Sequence, residues 1–255
     1  MKIRICFYTV IALTVLSCNK AEDKTISLIP EIEDNLLNLY YPSLGRYAQS
    51  IKGGDGNYTV KSSDETVVDV ELIQGQAVSF EAIGLGDATV TISDQSGKTY
   101  TFDVHVAYRE RILKIKELRA GVQGKNLTDA QIKEIEEKAL ATIPVKVNGG
   151  YELIYTNDDG VSGKLIVYTE AMGENGQEGT FRLLQSDIDN YTIIAIGYKG
   201  EERKFIITQS LLKDTAPTTV ALLEDVTKKF KAEYPNVEIV QTQQVIEWDA
   251  VGTSK

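Results

Sequence analysis

Histidine and cysteine are nearly missing from this chain, and their scarcity removes whole classes of chemistry. Among 255 residues there is one histidine, His105, and there are two cysteines, Cys6 and Cys18. A zinc site draws on several imidazole or thiolate ligands, and one imidazole cannot serve a metal and a Ser–His–Asp triad together. No Gly-x-Ser-x-Gly elbow accompanies His105, so it reads as a polar-face residue with Asp103 beside it on the same face. Basic charge is short as well. Lys and Arg number 27 against 37 Asp and Glu, for a net charge of −10. A nucleic-acid partner requires a basic field to neutralise phosphates, and anionic lipid headgroups repel an acidic surface. No glycine-rich loop followed by Lys-Ser/Thr is present. Gly53-Gly54-Asp55-Gly56 puts an acid where a phosphate would sit. The apolar run Ile5 to Leu16 is too short to span a bilayer.

What is there begins with an address. Lys2 and Arg4 precede that apolar run, and Val15-Leu16-Ser17-Cys18 closes it. A charged start, a short hydrophobic stretch and a small residue before the cut make a secretory leader. The closing tetrapeptide resembles a bacterial lipoprotein box, which implies that Cys18 becomes the lipidated first residue of a mature protein. Losing Lys2 and Arg4 takes the charge from −10 to −12. Cys6 leaves too, so no internal disulfide and no thiol nucleophile is expected. Asn19-Lys20-Ala21-Glu22-Asp23 resembles the surface-export signal of Bacteroidetes lipoproteins; a plain polar tether over residues 19–24 is the other reading.

Residues 25–107 alternate. Val68, Val70 and Leu72, then Val78, Phe80 and Ala82, then Ala88, Val90 and Ile92, then Tyr100, Phe102, Val104 and Val106 are each interleaved with polar residues. A period of two marks half-buried strands. Turn sequences such as Asp94-Gln95-Ser96-Gly97 separate them, which predicts an antiparallel sandwich. Gly56, Tyr58, Val60, Ser62, Ser63, Val67 and Val70, then Gly84, Gly86, Ala88, Val90, Thr91, Ile92, Asp94 and Gly97 carry a resemblance to the bacterial immunoglobulin-like domain, group 2. The resemblance covers about a third of the chain. It implies an immunoglobulin-like fold and cell-surface placement. It implies no particular activity, because such domains act as spacers, adhesive modules and ligand binders alike. Residues 31–46 fit that pattern loosely and read as an insertion or a decorated edge.

After Val106 the period changes. Tyr108, Ile112, Ile115 and Leu118 recur at helical steps, predicting a helical connector over 108–124 that Gly121 and Gly124 end. Arg109, Arg111, Lys114, Lys116 and Arg119 give it a basic face, read as solvated, with a docking strip for an acidic partner as the alternative. Thr128 to Gln131 forms a capping box for a second helix lined by Ile132, Ile135 and Leu140. Six strand candidates lie between Val145 and Gln209 with short connections, which argues for an antiparallel meander. Leu223, Val226, Phe230 and Tyr234 predict a covering helix over Thr219 to Tyr234, and a last strand starts at Val237. The expected fold class is an all-β immunoglobulin-like sandwich followed by an α+β domain, an antiparallel sheet with flanking helices over 125–255. Residues 25–107 and 125–255 are expected to fold separately.

The chemistry on offer is thin. Asp187 with Asp189, Asp158 with Asp159, and Glu201 with Glu202 are carboxylate pairs of the kind glycosidases use. All fall in predicted turns, where Asp is expected for backbone reasons. Asp55-Gly56-Asn57 and Asp187-Ile188-Asp189-Asn190 are short oxygen-rich runs without a full calcium loop. Thirteen tyrosines against six phenylalanines and one tryptophan offer faces for sugar rings or a protein partner; tyrosine is also simply a good sheet former. Asp214-Thr215-Ala216 resembles a Bacteroidetes O-glycosylation motif, making Thr215 an acceptor candidate. No residue is assigned a catalytic, cofactor-binding or metal role, and no cofactor is expected. The expectation is an outer-membrane, lipid-anchored and non-catalytic binding or adhesion module. Its partner would be a glycan or an envelope protein, with no nucleic acid and no membrane contact beyond the lipid. An envelope glycan hydrolase and a structural spacer are the alternatives.

Overall fold

The computed structural model describes residues 25–186, 191–209 and 219–248. The first part is two sheets face to face. Strands β1 (Ser27–Ile29), β3 (Tyr47–Lys52), β6 (Ala77–Ala82) and β5 (Val68–Ile73) form one four-stranded sheet in the order β1-β3-β6-β5. Opposite lie β4 (Tyr58–Ser62), β7 (Gly86–Asp94) and the first part of β8 (Thr99–Gly124). The alternation seen in the sequence is realised: Val68, Val78, Phe80, Val90, Ile92, Phe102, Val104 and Val106 all point into one buried cluster. Strand β2 (Leu36–Tyr41) pairs in parallel with β8, from Leu36 opposite Asp103 to Tyr41 opposite Tyr108. The loosely fitting segment is thus an added edge.

Strand β8 continues for 26 residues and changes partners on the way. Up to Val106 it pairs with β7; from Arg109 it pairs with β9 (Gly150–Tyr155), and from Leu113 with β15 (Val237–Trp248). The expected helical connector over 108–124 is therefore a strand. Its misleading period has a cause. Val245 pairs with Glu117 and Ile246 with Ile115, so Lys116 is a bulge, and a bulge adds one residue and flips the facing of the residues beyond it. Leu113 and Ile115 face the inside before it and Leu118 after it, which imitates a helical three-residue step. In addition, the strand turns opposite faces to its two cores: Phe102, Val104 and Val106 to one, Leu113 and Ile115 to the other.

The second part corrects the expected α+β domain. Strands β9, β10 (Ser162–Tyr168), β11 (Gln177–Gln185), β12 (Thr192–Tyr198), β13 (Glu201–Gln209), β14 (Thr219–Asp225) and β15 run as an antiparallel meander, and β15 returns to β8. The sheet closes into an eight-stranded barrel, with no flanking layer of helices among the described residues. Closure removes free edges, and with eight strands the interior is just wide enough for side chains to fill. Tyr151, Leu153, Tyr155, Leu165, Val167, Phe181, Ile194, Ile196, Phe205, Val220, Leu222 and Ile246 fill it. The predicted helix over Thr219 to Tyr234 is strand β14, then a four-residue helix α2 (Thr227–Phe230). Val220, Leu222 and Glu224 alternate inward there, and a β-branched start favours the strand. Val226, Phe230 and Tyr234 do share one face, in a small cluster with α1 (Asp129–Ala141). That helix and its capping box at Thr128 and Gln131 are as expected. Val145 to Val147, expected as a strand, is a turn that still buries Val145.

Candidate functional site

The two parts meet beside β2, and a groove opens there. The loop after β2, Pro42 to Arg46, folds back on itself as the Ser43 hydroxyl donates to the Gly45 carbonyl at 2.6 Å. This loop and β2 face β3 and β6 across an opening of about 360 Å³. Leu37, Leu39, Tyr40, Pro42, Leu44, Tyr47, Phe80 and Ala82 form its apolar walls, with Asn38, Ser43 and Arg109 as the polar members. Tyr47 stacks on Phe80 with ring centres 6.3 Å apart. Leu44 is 75% exposed and Tyr47 41%. Two large apolar side chains left in water at the mouth of a cleft are the usual mark of a contact surface.

The turn between β9 and β10 abuts the outer side of β2 and its loop without lining the groove. The Tyr41 hydroxyl donates to Asp158 at 2.8 Å, which raises the Tyr41 pKa through that hydrogen bond and the carboxylate charge. Asp159 shapes the turn: it accepts from the Ser162 hydroxyl at 2.6 Å and from the Val161 and Ser162 amides. These bonds, the hydroxyl first, hold its pKa below the ordinary carboxylate value. Gly160 sits at φ 66°, a left-handed conformation that suits glycine, and a side chain there would meet Leu44.

Arg109 joins the two parts. It lies on β8 opposite Tyr155, its guanidinium 3.9 Å over that ring, and its Nη2 donates to the Gly160 carbonyl. It is 8% exposed. Burial lowers its pKa; the Tyr155 phenol opposes the shift and the charge of Arg111 adds to it. Its Nε has no hydrogen-bond partner, and among the described residues no carboxylate pairs with it. Arg46, at the end of the same loop, differs completely: Asp69 and Glu81 each accept from it at 2.8 Å.

Inside the barrel most of the named polar groups have partners, and Gln244 Nε2 does not. Arg203 and Glu224 form a bidentate pair, and Arg203 also donates to the Thr142 carbonyl at 3.0 Å. Tyr151 donates to Gln244 at 2.9 Å, and burial raises the Tyr151 pKa. Two cavities remain, about 230 Å³ beside Thr142, Tyr198 and Phe205 and about 250 Å³ beside Leu153, Ile194 and Leu222. Both are smaller than the ~300–1,000 Å³ usual for ligand sites.

The residues singled out in the sequence do not converge. His105 sits across from Asp87 with its Nδ1 2.6 Å from that carboxylate, on the exposed face. Asp158 and Asp159 are engaged in the turn just described. Glu201 and Glu202 line an open hollow of about 400 Å³ together with Glu178 and Lys199; Glu201 also borders the smaller barrel cavity, and Glu202 lies 3.5 Å from Lys204. Asp55 accepts from the Asn57 amide at 2.9 Å, a local turn. Cys18, Asp187, Asp189 and Thr215 lie outside the described residues. Sequence reasoning passed over Tyr47 and Leu44 as site residues and set Arg109 on the basic face of a helix. The signal available for Arg109 was its spacing: Arg109, Arg111, Leu113 and Ile115 keep a period of two that puts both arginines on the inward side of a strand.

No protein-family model matches the chain, and no curated protein matches it. Among solved structures it is similar to a mutant of intimin from EHEC O157:H7, at 17% identity with a TM-score of 0.23. That alignment covers 36% of this chain, which spans 50% of the intimin chain. It is similar also to domains 5–6 of the S-layer protein SbsC, at 14% identity over 78% of this chain and 89% of that one, with a TM-score of 0.28.

Proposed function

We propose that this chain is a non-catalytic binding module of the cell envelope, tethered through lipid on Cys18, that holds a glycan or an envelope protein in the groove beside β2. The groove itself carries the reading. It is preformed, it is walled by Tyr40, Tyr47 and Phe80, and it leaves Leu44 in water at its mouth. Aromatic faces flanked by a few polar groups suit sugar rings and protein anchors alike. No carboxylate is among the groove's lining residues, and Asp158, Asp159 and Glu81 near its loop are engaged by Tyr41, Ser162 and Arg46. Several tethered copies on one surface act together, so a modest single-site affinity suffices.

The test uses soluble protein lacking residues 1–18. It is screened against envelope glycans and envelope proteins, beside a broad panel of hydrolase substrates. Binding that Tyr47→Ala or Leu44→Asp weakens at least tenfold is expected. Turnover of any glycan, or binding indifferent to both substitutions, overturns the reading. Cys18→Ser in the whole chain is expected to move the protein out of the membrane fraction.

A further inference from the structure

Arg109 presents a problem of charge. A guanidinium taken out of water is tolerable when a carboxylate accompanies it. The chain obeys this twice nearby: Arg203 is buried with Glu224, and Arg46 sits among Asp69, Glu71 and Glu81. Arg109 is buried more deeply than Arg46 and has only a ring face and one peptide carbonyl. The Tyr155 face and the Gly160 carbonyl explain why the side chain is held where it is. They do not neutralise it, and Arg111 on the same face of β8 adds a second positive charge. Among the described residues, Arg109 is also the one charged member of the groove wall.

On the binding reading above, we infer that the groove takes an acidic saccharide, with the carboxylate of one sugar ring paired to Arg109. The guanidinium fork is the side chain best matched to a carboxylate, and at 8% exposure most of its dehydration precedes the ligand. Tyr47 and Tyr40 give faces for the ring, while Ser43 and Asn38 give partners for its hydroxyls. The volume of about 360 Å³, near the lower end of the ~300–1,000 Å³ range, suits one or two rings. The positive charge is local in a chain of net charge −10, so a single carboxylate is favoured while an extended polyanion is repelled. An acidic peptide has the outer edge of β2 to add to and is the competing occupant; the ring faces of Tyr40 and Tyr47 beside Ser43 and Asn38 favour the sugar.

The experiment titrates the soluble chain with a trigalacturonate and with the uncharged galactose trisaccharide, by calorimetry. The acidic sugar is expected to bind at least tenfold more tightly, with the difference shrinking as salt rises. Arg109→Gln is expected to abolish the difference. Because Arg109 also holds Gly160, that variant counts only if its circular dichroism and melting match wild type. Leu44→Glu beside Leu44→Gln serves where it does not: Leu44 is 75% exposed, both variants remove the same apolar contact, and relative to Leu44→Gln the carboxylate is expected to weaken the acidic sugar tenfold more than the neutral one. Equal binding of the two sugars, or an acidic preference as large in Leu44→Glu as in Leu44→Gln, overturns the inference. So does tighter binding of a tetraglutamate peptide. Loss of neutral-sugar or envelope-protein binding in Tyr47→Ala, without any acidic preference, keeps the binding module and removes this inference. No binding by any probe removes both.

Discussion

The sandwich and the barrel solve the problem of a buried core differently. In the sandwich the packed core is aliphatic or aromatic, from Ile26 to Val106, with Gln49, Ser79 and Asp94 as the buried polar exceptions. Inside the barrel and at its mouth, Arg203, Glu224, Tyr151, Gln244, Arg109 and Arg111 stand at inward positions. A sandwich core of this kind needs only the right pattern and volume. Polar groups in a core must each be matched, and an unmatched one marks a place where something other than stability decides. In the barrel the match is complete at Arg203 and incomplete at Gln244, which is neutral, and at Arg109, which is charged and borders the groove.

The sharpest way to break the comparison is to cut the chain. A piece starting at residue 125 lacks β8, leaving β9 and β15 without the neighbour that closes the ring. It is expected to show no cooperative unfolding in urea, while a piece starting at residue 107 does. Cooperative folding from residue 125 would mean that closure is dispensable. Next in size is the matched pair. Glu224→Ala leaves Arg203 buried and uncompensated, an expected loss of about 3–5 kcal/mol. The double change Arg203→Met with Glu224→Leu is expected to recover most of it, as apolar replacement of a buried pair usually does. Chemical denaturation of the three proteins measures both.

Most of the sandwich and six barrel strands were legible, because Val68 to Val106 and Tyr151 to Gln209 fall into short apolar runs between turns and a last strand starts at Val237. The failures cluster on β8 and β14. On β8 the arginines occupy inward positions, and assigning every charge to the outside loses the period at Arg109. The bulge at Lys116 then supplies a false helical step. On β14 the apolar residues Leu223, Val226, Phe230 and Tyr234 do share a helical spacing, but a turn at Val226 produces it. Ring closure was not legible, since it depends on β15 finding β8 more than a hundred residues away. The groove was not legible either: its walls come from β2, β3, β6 and β8, and no motif links them.

Two smaller effects sharpen the junction. Gly160→Ala forces a side chain onto a left-handed backbone and against Leu44, 3.2 Å away. A loss of about 1–2 kcal/mol is expected, with groove binding falling along with stability. The smallest effect is acid sensitivity. The folded-state pKa of Asp159 is depressed, so its contribution is complete above the unfolded value near ~3.9 and disappears as pH falls through the folded one. Asp159→Asn is expected to melt slightly below wild type at neutral pH. The gap should close as pH drops from about 5 toward about 2. A gap that widens in acid would show that Asp159 is not held ionised.

The unbroken course of β8 has a consequence for recognition. Its 26 residues, roughly 85 Å of strand at ~3.3 Å per residue, belong to both sheets and contain no hinge. A ligand arriving beside β2 meets two walls already fixed in their separation and angle. It therefore has little domain closure to drive and little loop ordering to oppose it. Free and bound forms should superimpose closely, and the complex should form by docking rather than by clasping. A site of this kind selects by shape before contact, and it tolerates poorly any ligand one ring too wide.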